Sequence, residues 1–283
     1  MTDTLDFRTL TVATGAVVLA LSGAMLHVRF TRHTYPGFNL WVLGSLCAAG
    51  SMLQEWAWGG RPSPAGAVLG NAMASLALAL ITVGLEAFLG RGRRTWPHAL
   101  AVAATLGSSA LFTWGAPSVP ARVASGELVY AAQVAWALWL VIRGVAPLLG
   151  AHNRLLEVVL AVQGAWSVAR VGLLIAGDAV PSDLLSDAAA QSVSFVVFPA
   201  VTAVLVYGLT DLNLQRLESD LRSSLEEIRT LRGIIPICAY CKQIRDDRGS
   251  WQQVEAYVSE HTDAEFSHGI CPRCMEERYP EVE

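Results

Sequence analysis

Between Leu10 and Leu209 the chain repeats one pattern seven times: a long apolar stretch, then a short connector rich in Arg, Gly and Pro. The stretches are Leu10–Val28, Phe38–Trp58, Ala65–Leu89, Pro97–Trp114, Val123–Val145, Leu155–Ala176 and Ala188–Leu209. Each is close to the ~20 residues that carry a helix across a bilayer. A helix that is apolar on every side needs apolar surroundings on every side, and a soluble core rarely supplies them seven times running. Charge divides the chain at the same place. Residues 1–210 hold 20 charged side chains (11 basic, 9 acidic), whereas residues 211–283 hold 24 (9 basic, 15 acidic). The pattern predicts an all-α membrane protein with the lipid bilayer as its first partner. It excludes a single soluble globule, a disordered chain and a basic nucleic-acid-binding domain.

Arginines set the expected orientation, because basic residues collect on the cytoplasmic side. The connector after the first stretch carries Arg29 and Arg32. The one after the third carries Arg91, Arg93 and Arg94, and Arg143 and Arg154 bracket the one after the fifth. The alternate connectors offer only Arg61 and Arg122, and the last holds Asp178, Asp183 and Asp187. This places the amino terminus outside and the carboxyl tail in the cytoplasm. The first stretch reads as a span and not as a cleavable signal, since no basic segment precedes it and its apolar run is too long.

Ionisable groups inside spans are candidate functional residues, because burying charge in lipid is costly. Glu55, Asn71, Arg122, Glu127 and Arg170 lie at outer depths and are candidates for a shared outward pocket or ion-pair site. Glu86 and Glu157 lie near the cytoplasmic side and are expected to neutralise nearby arginines. Gly66, Gly70 and Ala74 recur every four residues, which lets helix backbones approach closely. They are read as packing inside one bundle. Cys47 reads as a small packing residue.

The layout resembles the rhodopsins, but their Schiff base needs a lysine in the bundle. The chain has one lysine, Lys242, and it lies in the tail, so retinal attachment is excluded. A haem between His27 and His98 is a minor alternative. Pro199 is the one break in the seventh stretch, where transporters use paired breaks or rings of charge.

After the seventh stretch comes TDLNLQRLESDLRSSLEEIRTLRGIIP. Leu214, Leu217, Leu221, Ser224, Ile228, Leu231 and Ile235 alternate in steps of three and four, an a/d seam of about three heptads. The seam predicts a parallel homodimeric coiled coil that continues the seventh span. A solvated amphipathic helix is the alternative.

Cys238-Ala-Tyr-Cys241 and Cys271-Pro-Arg-Cys274 are two C-x-x-C knuckles with 29 residues between them. Four thiolates close a tetrahedral zinc site with no open position, so the zinc would be structural; an iron–sulfur cluster or a thiol switch is the alternative. A cytoplasmic compartment disfavours two structural disulfides. His268 is a candidate for a hydrogen bond to a ligating thiolate. Between the knuckles, Lys242–Asp246 is predicted as a strand and Asp247-Arg248-Gly249 as a turn. Ser250 and Gln253 are predicted to form a capping box, with Trp251, Val254 and Val258 on one helix face. Ala264–Ile270 is predicted as a second extended segment, and Pro272 opens a final helix to about Tyr279. The arrangement resembles a zinc ribbon or treble clef.

The segment LRGIIPICAYCKQIRDDRGSWQQVEAYVSEHTDAEFSHGICPRC closely resembles a carboxyl-terminal cysteine module of bacterial signalling proteins. There it follows a coiled coil behind receiver, PAS or other sensory domains. The resemblance extends from Leu231 to about Tyr279 and implies a bacterial signalling context and zinc, with no established activity. The seven-span part is similar in layout to sensor regions of bacterial membrane kinases and cyclases.

These readings give three parts: a seven-helix transmembrane bundle (1–209), a coiled-coil linker (210–233), and a small α+β zinc-ribbon or treble-clef-like module (234–283). Only 74 residues follow the seventh stretch, which leaves no room for a kinase or cyclase domain. The expected function is an inner-membrane bacterial sensor that is not an enzyme and acts through an unknown cytoplasmic protein partner. The alternatives are a redox or metal sensor with the four cysteines as input, and a small-ligand transporter or membrane binding protein.

Overall fold

The structure is a computed structural model that describes residues 7–57, 63–92, 94–176, 187–232, 235–246 and 248–279. It divides into two compact units, Met1–Ser219 and Asp220–Glu283.

The first unit is helical. Its elements are α1 (Phe7–Thr31), α2 (Phe38–Ala57), α3 (Pro64–Phe88), α4 (Thr95–Ala110), α5 (Val119–Leu149) and α6 (Arg154–Ala176). A seventh helix, α7 (Asp187–Arg232), begins in this unit and runs on without a break into the second. A π-helical turn over Leu111–Gly115 extends α4. Where described, all seven apolar stretches therefore fall on helices or their caps. Five segments are long and apolar enough to cross a membrane: Val12–Thr31, Pro64–Phe88, Val119–Leu149, Arg154–Ala176 and Val197–Glu227. Large apolar side chains also face outward, with Phe30 80%, Val168 64% and Ile175 79% exposed. An apolar exterior around an apolar core is what a lipid solvent requires.

Local chemistry sets the helix ends. Ser63 caps α3, its Oγ accepting from the Gly66 N–H at 2.8 Å, and Pro64 fills the first turn, where no donor is needed. Ser118 caps α5 in the same way through the Ala121 N–H. Asn153 opens α6, its Oδ1 accepting from the Leu156 N–H at 3.0 Å. Gly150 closes α5 with φ +71°, a left-handed conformation that suits glycine. Pro147 lies in the last turn of α5 without ending it, so the helix outruns its predicted boundary by four residues.

The core gathers Met25, Phe38, Trp41, Leu85, Phe88, Leu140, Leu156, Leu209 and Leu212. Trp41 is fully buried against α3, where its indole donates to the Ile81 carbonyl at 3.2 Å. Gly84 makes this approach possible, since a Cβ there would lie 2.5 Å from the indole. The small residues foreseen on α3 also serve packing within the chain. Gly70 leaves room for Gln54 of α2, whose amide donates to the Gly66 carbonyl at 3.0 Å.

The second unit contains a two-stranded antiparallel sheet of β1 (Ile244–Arg245) and β2 (Trp251–Gln252), then α8 (Val254–His261) and α9 (Pro272–Arg278). Ile244 pairs with Gln252 and Arg245 with Trp251. Asp246 builds the turn: its Oδ1 accepts from the N–H of Arg248 at 3.0 Å and of Ser250 at 2.7 Å. Gly249, at φ +84°, completes it. This turn corrects the expected capping box. With Ser250 held by Asp246, residues 251–252 join the sheet, and α8 starts at Val254 with Gln253 as an N-cap that makes no side-chain bond. Trp251 therefore lies on a strand and not on the helix face. Ala264–Ile270, read as a second extended segment, holds no helix and joins no sheet, and the strand that pairs with β1 is β2. Ile244 is the one buried apolar residue among the described residues of this unit.

Candidate functional site

The five intramembrane candidates separate into two groups. Glu127 of α5 and Arg170 of α6 form a direct ion pair between carboxylate Oε1 and guanidinium Nη1, with side chains 15% and 22% exposed. Asn71 of α3 donates to Ser109 Oγ at 3.2 Å, Thr113 Oγ1 donates to the Ser109 carbonyl at 2.6 Å, and Arg122 donates to Thr113 Oγ1 at 3.1 Å. The second group ties α3, the end of α4 and α5 together. Among the described residues no hydrogen bond links the two groups. Glu55 lies on α2, and its side chain falls outside the described residues.

Deeper in the unit, Ser75 Oγ donates to Gln133 Oε1 at 3.1 Å, Gln133 Nε2 returns to the Ser75 carbonyl at 3.2 Å, and Thr105 Oγ1 donates to Ser75 Oγ at 3.3 Å. These groups are buried and satisfy one another, as buried polar atoms must. Glu86 corrects a second expectation. Its carboxylate takes the indole N–H of Trp136 at 3.2 Å, stands 3.5 Å from His98 Nε2, and accepts from the Arg94 backbone N–H at 3.4 Å. Glu157 likewise pairs with His152 at 2.7 Å, and among the described residues no arginine pairs with it. His98 is thus engaged by Glu86, whereas His27 is exposed.

Sequence reading missed the junction where α7 leaves the bundle. Asn213 is fully buried: its Oδ1 accepts from the Tyr35 N–H at 3.1 Å and its Nδ2 donates to the His33 carbonyl at 3.4 Å. One turn on, Arg216 donates to the Phe88 carbonyl at 2.6 Å, with its guanidinium 4.3 Å from the Tyr35 ring and 5.0 Å from the Phe88 ring. Asn153 reaches Asp211 and Gln215 at 3.5 Å. Two connectors at this end (α1–α2 and α5–α6) and the last residue of α3 therefore all bond to residues 211–216. Along the predicted seam Leu214 (46%), Leu221 (58%), Ser224 and Ile235 are exposed, whereas Leu217 is half-buried. The side chains of Ile228 and Leu231 lie outside the described residues.

The cysteines form two local pairs. In the first, the Lys242 N–H donates to the Cys238 carbonyl at 3.0 Å and the Cys238 N–H to the Gln243 carbonyl at 2.8 Å. Lys242 takes a left-handed φ of +62°, the one non-glycine residue to do so among those described. This turns successive N–H groups toward the first thiol. Cys238 is lowered from its ordinary range first by the Cys241 backbone N–H, then by that of Tyr240 and by the Cys241 side chain. In the second pair Cys271 is the N-cap of α9 and is lowered first by the Cys274 backbone N–H, then by the Cys274 side chain. Both turns favour thiolate, the form that binds a soft metal. The four thiols do not converge, and among the described residues no group of three or more His, Cys, Asp and Glu is placed to hold an ion. His268 is exposed, and no hydrogen bond or ion pair joins it to a thiol among the described residues. No protein-family model, curated protein or solved structure matches the chain.

Proposed function

We propose that the chain is an inner-membrane sensor of the bacterial signalling type. A change in packing of seven spans passes along α7, through a dimeric coiled coil, to a non-catalytic zinc module that binds a cytoplasmic protein. The observation that carries this reading is the convergence of two connectors and the end of α3 on residues 211–216 of a helix that continues without interruption to Arg232. A shift of any neighbouring helix pair pulls on those bonds. A continuous helix converts the pull into rotation or translation of its far end.

Zinc fits the donor set. Cys238, Cys241, Cys271 and Cys274 would hold it and His268 would support a ligating thiolate, so the ion would staple a unit that buries little apolar surface. The test uses the full chain in lipid discs. Metal analysis should find about one zinc per chain. Hydrogen exchange should change in residues 220–232 when Asn213 and Arg216 are both replaced by alanine. Unchanged exchange beyond Ser219 overturns the relay, and a folded, metal-free tail overturns the zinc module.

A second reading, redox input through the cysteines, is favoured by the exposure of Cys241, Cys271 and Cys274 and by the pairing of each with its neighbour. Mild peroxide separates the two readings, since a closed structural site resists it and a sensing site forms a disulfide.

A further inference from the structure

The last turns of α1 and the first turns of α2 enclose a groove of about 340 Å³ that opens to the outside of the bundle. Leu26 and Phe30 form one wall, and Leu43 and Leu46 the other. All four are exposed, Phe30 to 80%. Arg29 and Asn39 stand at the connector end of the groove, and Arg29 Nε donates to Asn39 Oδ1. A guanidinium carries five N–H donors, so four remain after this bond. Among the described residues no carboxylate pairs with Arg29. Leu46 lies seven residues along α2 from Asn39, about 10 Å deeper at 1.5 Å per residue. The groove is thus cationic at its rim and apolar below. An amphiphile with an anionic head has the complementary order.

We propose that this groove binds an anionic phospholipid, with the phosphate on Arg29 and one acyl chain against Leu26, Leu43 and Leu46. The inference does not depend on the signalling reading. Arginine suits this role because its planar donors grip two phosphate oxygens together. Depth in the bundle fits too, since Arg29 belongs to the same end as Arg32, Arg91 and Arg94.

The test is native mass spectrometry of the full chain released from vesicles of equal phosphatidylglycerol and phosphatidylcholine. The wild type should retain the anionic lipid over the neutral one by about fivefold, the ~1 kcal/mol that one arginine is worth near an anionic surface. Arg29→Gln should abolish the preference. Leu43→Trp, which fills the groove and leaves the charge, should reduce total bound lipid and serves if the first variant fails to fold. Arg32→Gln should leave both unchanged. An equal loss in Arg32→Gln, retention in both groove variants, or displacement of the lipid by millimolar inorganic phosphate alone overturns the site.

Discussion

The guanidinium of Arg216 donates to the Phe88 carbonyl at 2.6 Å and stands 5.0 Å from that residue's ring. One side chain of α7 thus satisfies a carbonyl at the end of α3, where the helix dipole favours a cation. Arg216→Ala should destabilise the bundle by about 2 kcal/mol, the worth of a charged hydrogen bond plus a cation–π contact. Arg216→Lys should recover only part of this, because an ammonium has no planar face to stack. Thermal unfolding in detergent and exchange of residues 86–89 measure both; an unchanged melting curve for Arg216→Ala would falsify the clamp.

The Glu127–Arg170 pair offers a second measurement. Removing one partner leaves the other charge largely buried, at a cost of about 3 kcal/mol. Glu127→Gln and Arg170→Gln should each destabilise the chain strongly, and the double variant by much less than their sum. Strict additivity in the double-mutant cycle would show that the pair is not coupled.

Gly84→Ala should cost about 1–3 kcal/mol, because the added methyl meets the fully buried Trp41 indole at 2.5 Å and the Gly37 carbonyl at 3.0 Å. Gly23→Ala, with nothing within 4 Å, should be neutral or stabilising by up to about 1 kcal/mol. Comparing the two melting temperatures checks the α2–α3 contact.

Cys238 and Cys271 carry the pH signature. Their folded-state values are lowered, so each thiolate supports folding fully above its unfolded value, and that support is lost as pH falls through the folded value. In the chelator-treated full chain, alkylation at both positions should reach half its maximal rate below the ordinary 9.0. Denaturant should move the midpoint upward. Identical profiles with and without denaturant would remove the N–H argument.

Cys238→Ser or Cys271→Ser should abolish bound zinc and increase protease cleavage throughout 235–279, whereas His268→Ala should weaken the metal by about 10-fold or more without abolishing it. Zinc retained at full level by either serine variant would exclude a four-thiolate site.

The helices were legible because length and apolarity act locally: every stretch read from the sequence lies on one where it is described, and serine, asparagine and glycine mark several of the ends. Partners were not. Trp136 meets Glu86 across 50 residues and Asn213 meets His33 across 180, and no spacing rule encodes either. Arg216 falls off the predicted a/d seam, and periodicity says which residues share a face but not what an off-seam residue meets. Ser250 failed for a related reason. A capping box competes with the turn that Asp246 makes, and the side chain already bonded to Ser250 wins. The Glu127–Arg170 pair was foreseen as a candidate because intramembrane charges are few and must find each other.

The 31 residues of α5 make a rod about 46 Å long, some 15 Å more than a hydrocarbon layer. Arg122 and Arg143 stand 21 residues apart on it, about 31 Å. An upright α5 places both guanidinium groups at the two water boundaries and leaves overhanging turns beyond them, with no need to tilt. A thicker bilayer would then pull one arginine inward against the Thr113 bond that holds Arg122. Lateral stress in the lipid would then reach the protein first at that hydrogen bond.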